Sequence, residues 1–329
     1  MDLDDYFISK REEYIMDSFK FQSGDVLNNV SVEYMTFGTP KYDDNGCINN
    51  AIVYCHGSLG NYASVSKLCP LSYTGGPFDK KEFFIISLSE LGAPGSCSPS
   101  TTNLNNSFPK YSIEDMVNFQ NKFLKDKFGI THVRGIIGNS MGGFVALTCA
   151  VLYPDYADFI ISGASGYKVA GRNYILSKLV DEIISTDGDY DSGKNTSSLV
   201  RTLRLATQAV YSFGISKEAL HKIPNSQLDV EFDEFGDEGL LDSIFDVKYC
   251  NDATLDYDIE KDLNKIRSKV LIIGINHDQY FPPNLDAIPM HNLIEDSELI
   301  IYDSDLGHIG FRELETIEKE LSEFMKNFR

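Results

Sequence analysis

The sequence predicts an α/β fold, a mostly parallel eight-stranded sheet with helices on both faces and a helical segment inserted before the last two strands. Three observations carry that expectation. Short, continuously apolar runs alternate with amphipathic helical patterns along most of the 329 residues. A glycine-flanked serine, Gly138-Asn139-Ser140-Met141-Gly142, lies between a strand-like run, His132 to Ile137, and a helix-like run, Gly143 to Leu152. The alternation stops after Gly166 and resumes at Val270-Leu271-Ile272-Ile273-Gly274.

Tyr14 to Phe21 and Val30 to Phe37 alternate polar and apolar residues, as an antiparallel opening pair does. After a polar connection, Ala51 to Cys55 is a short buried strand that runs into His56-Gly57-Ser58-Leu59-Gly60. Glu82 to Leu88 is the next strand, followed by a Gly/Ser/Pro-rich loop from Leu91 to Phe108. Ser112 to Phe128 reads as a helix, with Ile113, Met116, Val117, Phe119, Phe123 and Leu124 spaced along one face. The turn at Ser140, its helix and a strand at Ala157 to Ser162 come next. From Tyr167 to Asp256 the chain carries helical patterns and two acidic stretches, Asp187 to Asp191 and Asp229 to Glu238. The strand at Val270, a helix at Asn284 to Ile294, a strand at Glu298 to Tyr302 and a helix at Phe311 to Phe328 complete the chain. The implied division is a core of residues 1–166 and 257–329, with a helical lid at 167–256.

A hydrophobic fraction of 42% and an aromatic fraction of 12% are those of a folded globular protein. The acidic start, Met1 to Asp5, lacks the basic-then-apolar pattern of a signal peptide, and no apolar run is long enough to span a bilayer. The net charge of −20 argues against nucleic acid and anionic membrane as partners. Six scattered cysteines contain no C-x-x-C pair, and Cys55 and Cys149 fall in core elements, so reduced thiols are expected. Together these point to a cytoplasmic protein with no metal and no bound cofactor.

A G-x-S-x-G at a strand-to-helix turn presents its serine as a nucleophile. A serine hydroxyl needs a base, and the base needs an orienting acid. The turn resembles the nucleophile elbow of the α/β hydrolases, whose chain order of serine, then acid, then histidine implies an acid after the strand at Val270 and a histidine after the strand at Glu298. Asp278 and His308 stand there, and the chain has six histidines in all. His277 neighbours the acid, but its side chain should point elsewhere; Asp303 and Asp305 share the histidine's own loop. For the developing oxyanion, the N–H of Met141 follows the nucleophile. The second donor should come from the loop after Cys55, with Ser58 favoured and Leu59 the runner-up; His56 holds that loop.

These residues resemble the α/β-hydrolase superfamily, and within it the homoserine O-acetyltransferase-like family with its esterase relatives. Leu91-Gly92-Ala93-Pro94-Gly95-Ser96-Cys97-Ser98-Pro99-Ser100 resembles that family's loop after the fourth strand. Phe108-Pro109-Lys110-Tyr111-Ser112-Ile113-Glu114-Asp115-Met116-Val117 is similar to its next helix start. Gly138 to Gly143 matches its extended G-x-S-M-G-G, and Asp278-Gln279-Tyr280-Phe281-Pro282-Pro283 looks like its D-x-L-F-P-P. Gly307-His308 is in register with its histidine loop. The resemblance implies ping-pong acyl transfer through an acylated Ser140. It also implies that Arg204 and Tyr211, seven apart on one helix face, contact substrate. One position departs: the family's G-H-D-A-F is here Gly307-His308-Ile309-Gly310-Phe311. In the family that Asp meets the amino group of homoserine, and isoleucine at 309 cannot.

Three readings follow. The first is an enzyme that hydrolyses small-acyl esters. The second is an O-acetyltransferase that takes acetyl- or succinyl-coenzyme A as co-substrate and homoserine or a related hydroxy acid as acceptor. The third is a non-catalytic ligand-binding protein on the same fold. The expected partner is a small-molecule ester or acyl donor, and the resemblance adds a possible homodimer.

Overall fold

The computed structural model describes residues 10–329, so the acidic start at Met1 to Asp5 lies outside the described residues. Its strands are β1 (Glu12–Lys20), β2 (Val26–Gly38), β3 (Ala51–Cys55), β4 (Phe84–Leu88), β5 (Val133–Asn139), β6 (Ala157–Gly163), β7 (Lys269–Ile275) and β8 (Ser297–Tyr302). They form one eight-stranded sheet in the order β1-β2-β4-β3-β5-β6-β7-β8. β2 is antiparallel to both its neighbours, and every pairing from β4 to β8 is parallel.

The parallel strands are apolar on both faces because both faces are covered. On one side Val53, Ile136 and Ile272 pack with α1 (Ile113–Phe128) and α2 (Met141–Leu152), joined by Phe119, Phe123 and Phe144. On the other, Ile52, Ile137 and Leu271 meet Leu68 of a 3-10 helix, Tyr62–Leu71, and Leu314 and Leu321 near the C-terminus. α1 starts where the sequence says it should. The Ser112 hydroxyl accepts from the Asp115 N–H while the Asp115 carboxylate accepts from Ser112, and Gly129 ends the helix at φ 69°.

Between β6 and β7 the chain makes α3 (Gly171–Ser185), α4 (Ser197–Gly214), α5 (Lys217–Lys222), α6 (Asn225–Gly239) and α7 (Ile244–Leu255). Val180, Ile184, Leu199, Leu203 and Phe245 give three of these helices a small core of their own.

Two elements differ from expectation. The helix expected from Asn284 forms only over α8 (Ala287–Leu293), since Pro282 and Pro283 hold the preceding turn. The single helix expected from Phe311 to Phe328 is instead a 3-10 helix, Gly307–Ile317, kinked at Glu313, followed by α9 (Glu318–Met325). Tertiary bonds impose this. The Tyr302 hydroxyl donates to the Gly310 carbonyl at 2.7 Å, and Ser304 Oγ donates to the Glu313 carboxylate at 2.5 Å.

Candidate active site

Ser140 sits between β5 and α2 at φ 55°, ψ −126°, a backbone conformation that side chains rarely adopt. Two glycines make the turn possible. A Cβ at Gly138 would lie 2.0 Å from the Gly142 carbonyl oxygen, and one at Gly142 would lie 2.1 Å from the Cys55 carbonyl oxygen. The bend is tied down from both sides: Ser140 N–H donates to Gly163 O at 3.0 Å, and Ser165 Oγ donates to Ser140 O at 2.8 Å.

The loops after β7 and β8 bring Asp278 and His308 to this serine. His308 Nε2 is 3.0 Å from Ser140 Oγ, and His308 Nδ1 is 2.8 Å from Asp278 Oδ2. The Asp278 side chain is fully buried, and its Oδ1 accepts from the N–H groups of Tyr280 at 2.8 Å and Phe281 at 3.0 Å. With Oδ1 so occupied, Oδ2 accepts from Nδ1–H, which leaves the Nε2 lone pair facing the serine hydroxyl. Tyr280 meets the imidazole edge-on at a centroid distance of 4.7 Å, and Phe281 lies at 5.7 Å. His277 turns away, its Nδ1 3.2 Å from Ser304 O. Asp303 and Asp305 are exposed and bind Asn276 and Lys222.

Met141 opens α2, so its N–H lies at the positive end of the helix. Ser58 and Leu59 line the same cavity as Ser140 and His308. Cys250 of α7 links the two sides, its Sγ 3.4 Å from Met141 Sδ and 3.8 Å from Ser58 O. His56 is buried and holds the loop: Nε2 accepts from the Glu90 N–H at 2.9 Å, while Nδ1–H donates to Gly57 O at 2.7 Å. Burial pushes its imidazole down to about 4, so it is neutral at ordinary pH.

A cavity of about 780 Å³ opens over Ser140, with α3, α4 and α7 contributing Leu176, Tyr211 and Cys250 to its walls. Tyr211 and Ile309 line it. Arg204 does not. Its guanidinium pairs with Asp237 and, at 3.6 Å, with Asp233, both on α6. Seven residues are two turns, about 10 Å of helix, so a shared face places only its Tyr211 end over the serine. The other end meets the acidic face of α6.

Three groups at or near the site carry no functional signal in the sequence. Tyr280 cages the histidine, and Arg312 lines the cavity five residues past Gly307. Glu90 lies fully buried beside the Cys55 thiol, which donates instead to Gln120 Oε1 at 3.0 Å. Neither Glu90 oxygen has a partner among the described residues, and burial pushes the carboxyl up to about 8. No group of three or more metal-binding side chains occurs among the described residues, and no helix there is long and apolar enough to cross a membrane.

A family model described as alpha/beta hydrolase fold matches residues 50–313. A probable acyltransferase of Methanothermobacter thermautotrophicus is 43% identical over 91% of this chain and 92% of that one. A homoserine O-acetyltransferase of Haemophilus influenzae is 27% identical over 88% of this chain and 90% of its own length. Among solved structures, an acetylester hydrolase from Corynebacterium glutamicum superposes with a TM-score of 0.82 at 22% identity, covering 96% of each chain. That last likeness is one of fold.

Proposed function

The chain belongs to the alpha/beta hydrolase fold family, and from that premise we propose that it is an acyl-serine enzyme that hydrolyses small-acyl esters through Ser140. The observation that carries the proposal is the unbroken hydrogen-bonded line from Asp278 through His308 to Ser140, at 2.8 and 3.0 Å. A ligand-binding module has no need of it. Ser140 Oγ attacks the ester carbonyl as its proton passes to His308 Nε2, and the C–O double bond becomes an oxyanion facing the N–H groups of Met141 and Ser58. Collapse restores the carbonyl and expels the alcohol, which takes the proton from His308. Water then gives a proton to His308 and attacks the acyl-serine, and the carboxylic acid leaves as Ser140 recovers its hydrogen. Asp278 stays ionised throughout and stabilises the transient imidazolium.

A second reading differs in one reactant. An alcohol replaces water in the second half, with acetyl- or succinyl-coenzyme A as the acyl donor and a hydroxy acid or homoserine as acceptor. The 43% identical relative named a probable acyltransferase favours keeping it. In both readings the helices from α3 to α7 act as a lid that governs water at the acyl-serine, and the setting is the cytoplasm.

The test is a paired assay on one preparation. Release of p-nitrophenol from p-nitrophenyl acetate is compared with consumption of acetyl-coenzyme A in the presence of hydroxy acids and amino alcohols. Ester turnover without acceptor-dependent thiol release supports hydrolysis. Thiol release that requires an acceptor selects the second reading, and neither activity removes both.

A further inference from the structure

One wall of the cavity is the 3-10 helix Gly307–Ile317, which carries His308. In a 3-10 helix residues i and i+3 eclipse, so the face that turns Ile309 into the cavity also turns Arg312 there. Both line it. Ile309 occupies the position where the resembling family has an aspartate for an ammonium group. Here that position is apolar, and the same face carries a guanidinium. No ion pair or hydrogen bond engages Arg312 among the described residues. Arg204, the arginine that the resemblance assigned to substrate contact, is held by Asp233 and Asp237 outside the cavity. Glu238 is the one carboxylate lining the cavity among the described residues, and it does not pair with Arg312. Burial raises the Tyr211 phenol, Glu238 and Asp242 add to the rise, and Arg312 opposes it.

We propose that Arg312 is the specificity-determining residue of this site, taking a carboxylate on the alcohol portion of the ester, so that the preferred substrate is the O-acyl ester of a hydroxy acid without an amine. This rests on the acyl-serine reading above. At a 3-10 rise of about 2 Å per residue, Arg312 stands about 8 Å along the wall from His308, and its side chain spans that gap toward a group several bonds from the scissile oxygen. A guanidinium offers a planar two-point fork to a carboxylate, and Arg312 presents it from the exposed rim of the cavity.

The probes are 4-acetoxybutyrate, its neutral methyl ester, p-nitrophenyl acetate, and mono-p-nitrophenyl succinate, whose carboxylate lies on the acyl side. The wild type is expected to favour 4-acetoxybutyrate over its methyl ester in kcat/KM. Arg312→Gln is expected to lower that ratio about tenfold or more, chiefly through KM, and Arg312→Lys to restore part of it. A merely structural loss would depress both esters together and leave the ratio in place, which would overturn the proposal. So would a wild-type ratio near one. A ratio change seen with the succinate and absent with 4-acetoxybutyrate would move the carboxylate to the acyl side and overturn the alcohol-side assignment. Absence of Ser140-dependent turnover of p-nitrophenyl acetate would instead remove the acyl-serine reading on which this rests.

Discussion

Asp278→Asn tests the tautomer logic of the site at one atom. Asp278 Oδ1 accepts two backbone N–H groups, from Tyr280 at 2.8 Å and Phe281 at 3.0 Å. An asparagine must keep its oxygen there, because its amide NH₂ would face two donors. The NH₂ therefore falls at the Oδ2 position, 2.8 Å from His308 Nδ1. Facing a donor, Nδ1 gives up its hydrogen, and Nε2 carries it, pointing at Ser140. The base then has no lone pair for the serine proton. The expected loss in kcat is about 10⁴-fold, by the order of magnitude known for such substitutions in serine proteases. That is a barrier increase of about 5 kcal/mol. Steady-state hydrolysis of p-nitrophenyl acetate measures it, with a thermal melt showing that the variant is folded. A folded variant within tenfold of the wild-type kcat would refute the reasoning.

Other expectations follow from particular contacts. Glu90 is protonated in the fold up to about pH 8, while an unfolded glutamate ionises near 4.5, so the folded state binds the extra proton between them. Stability from this group is therefore fully present below about pH 4.5 and is lost as pH rises toward 8, by up to about 4–5 kcal/mol. Glu90→Gln should flatten the fall in Tm between pH 5 and 9, leaving a remainder from Asp242 and Asp286, each pushed up to about 7 by burial; an unchanged slope counts against it. Gly142→Ala puts a methyl 2.1 Å from the Cys55 carbonyl oxygen and should cost about 2 kcal/mol or more in urea unfolding, with loss of ester turnover. Ile309→Asp should raise activity toward homoserine as acceptor. It should also lower turnover of 4-acetoxybutyrate, because the new carboxylate eclipses Arg312; no change in either would remove position 309 from substrate recognition.

Much of the site was legible in the chain because its chemistry is tied to strand ends. Ser140, Asp278 and His308 each follow a short apolar run, and in a parallel sheet those runs deliver their loops to one edge. The glycines at 138 and 142 were legible as a turn, and Gly138 meets Gly142 O within it, while the approach of Gly142 to Cys55 O is set by β3 and α2 meeting in space. Arg204 shows the limit of periodicity, which places a residue on a face without saying what lies opposite. Here α6 lies opposite. Arg312 carries no signal in the sequence because the terminal helix reads from Phe311, which leaves Ile309 in the preceding loop and puts the two positions on no common face. Only the tertiary bonds from Tyr302 and Ser304 reveal that it begins as a 3-10 helix. Glu90 was illegible for another reason: a carboxylate just after a strand reads as solvated loop, and nothing local signals its burial.

The most direct measurement is the intact mass, with peptide mapping, of the enzyme quenched during turnover of p-nitrophenyl acetate, run beside Ser140→Ala. A gain of one acetyl group on the peptide that contains Ser140, absent from the variant together with its turnover, is the expected result. An acetyl group on another residue, or wild-type turnover by Ser140→Ala, would contradict the assignment of Ser140 as the nucleophile.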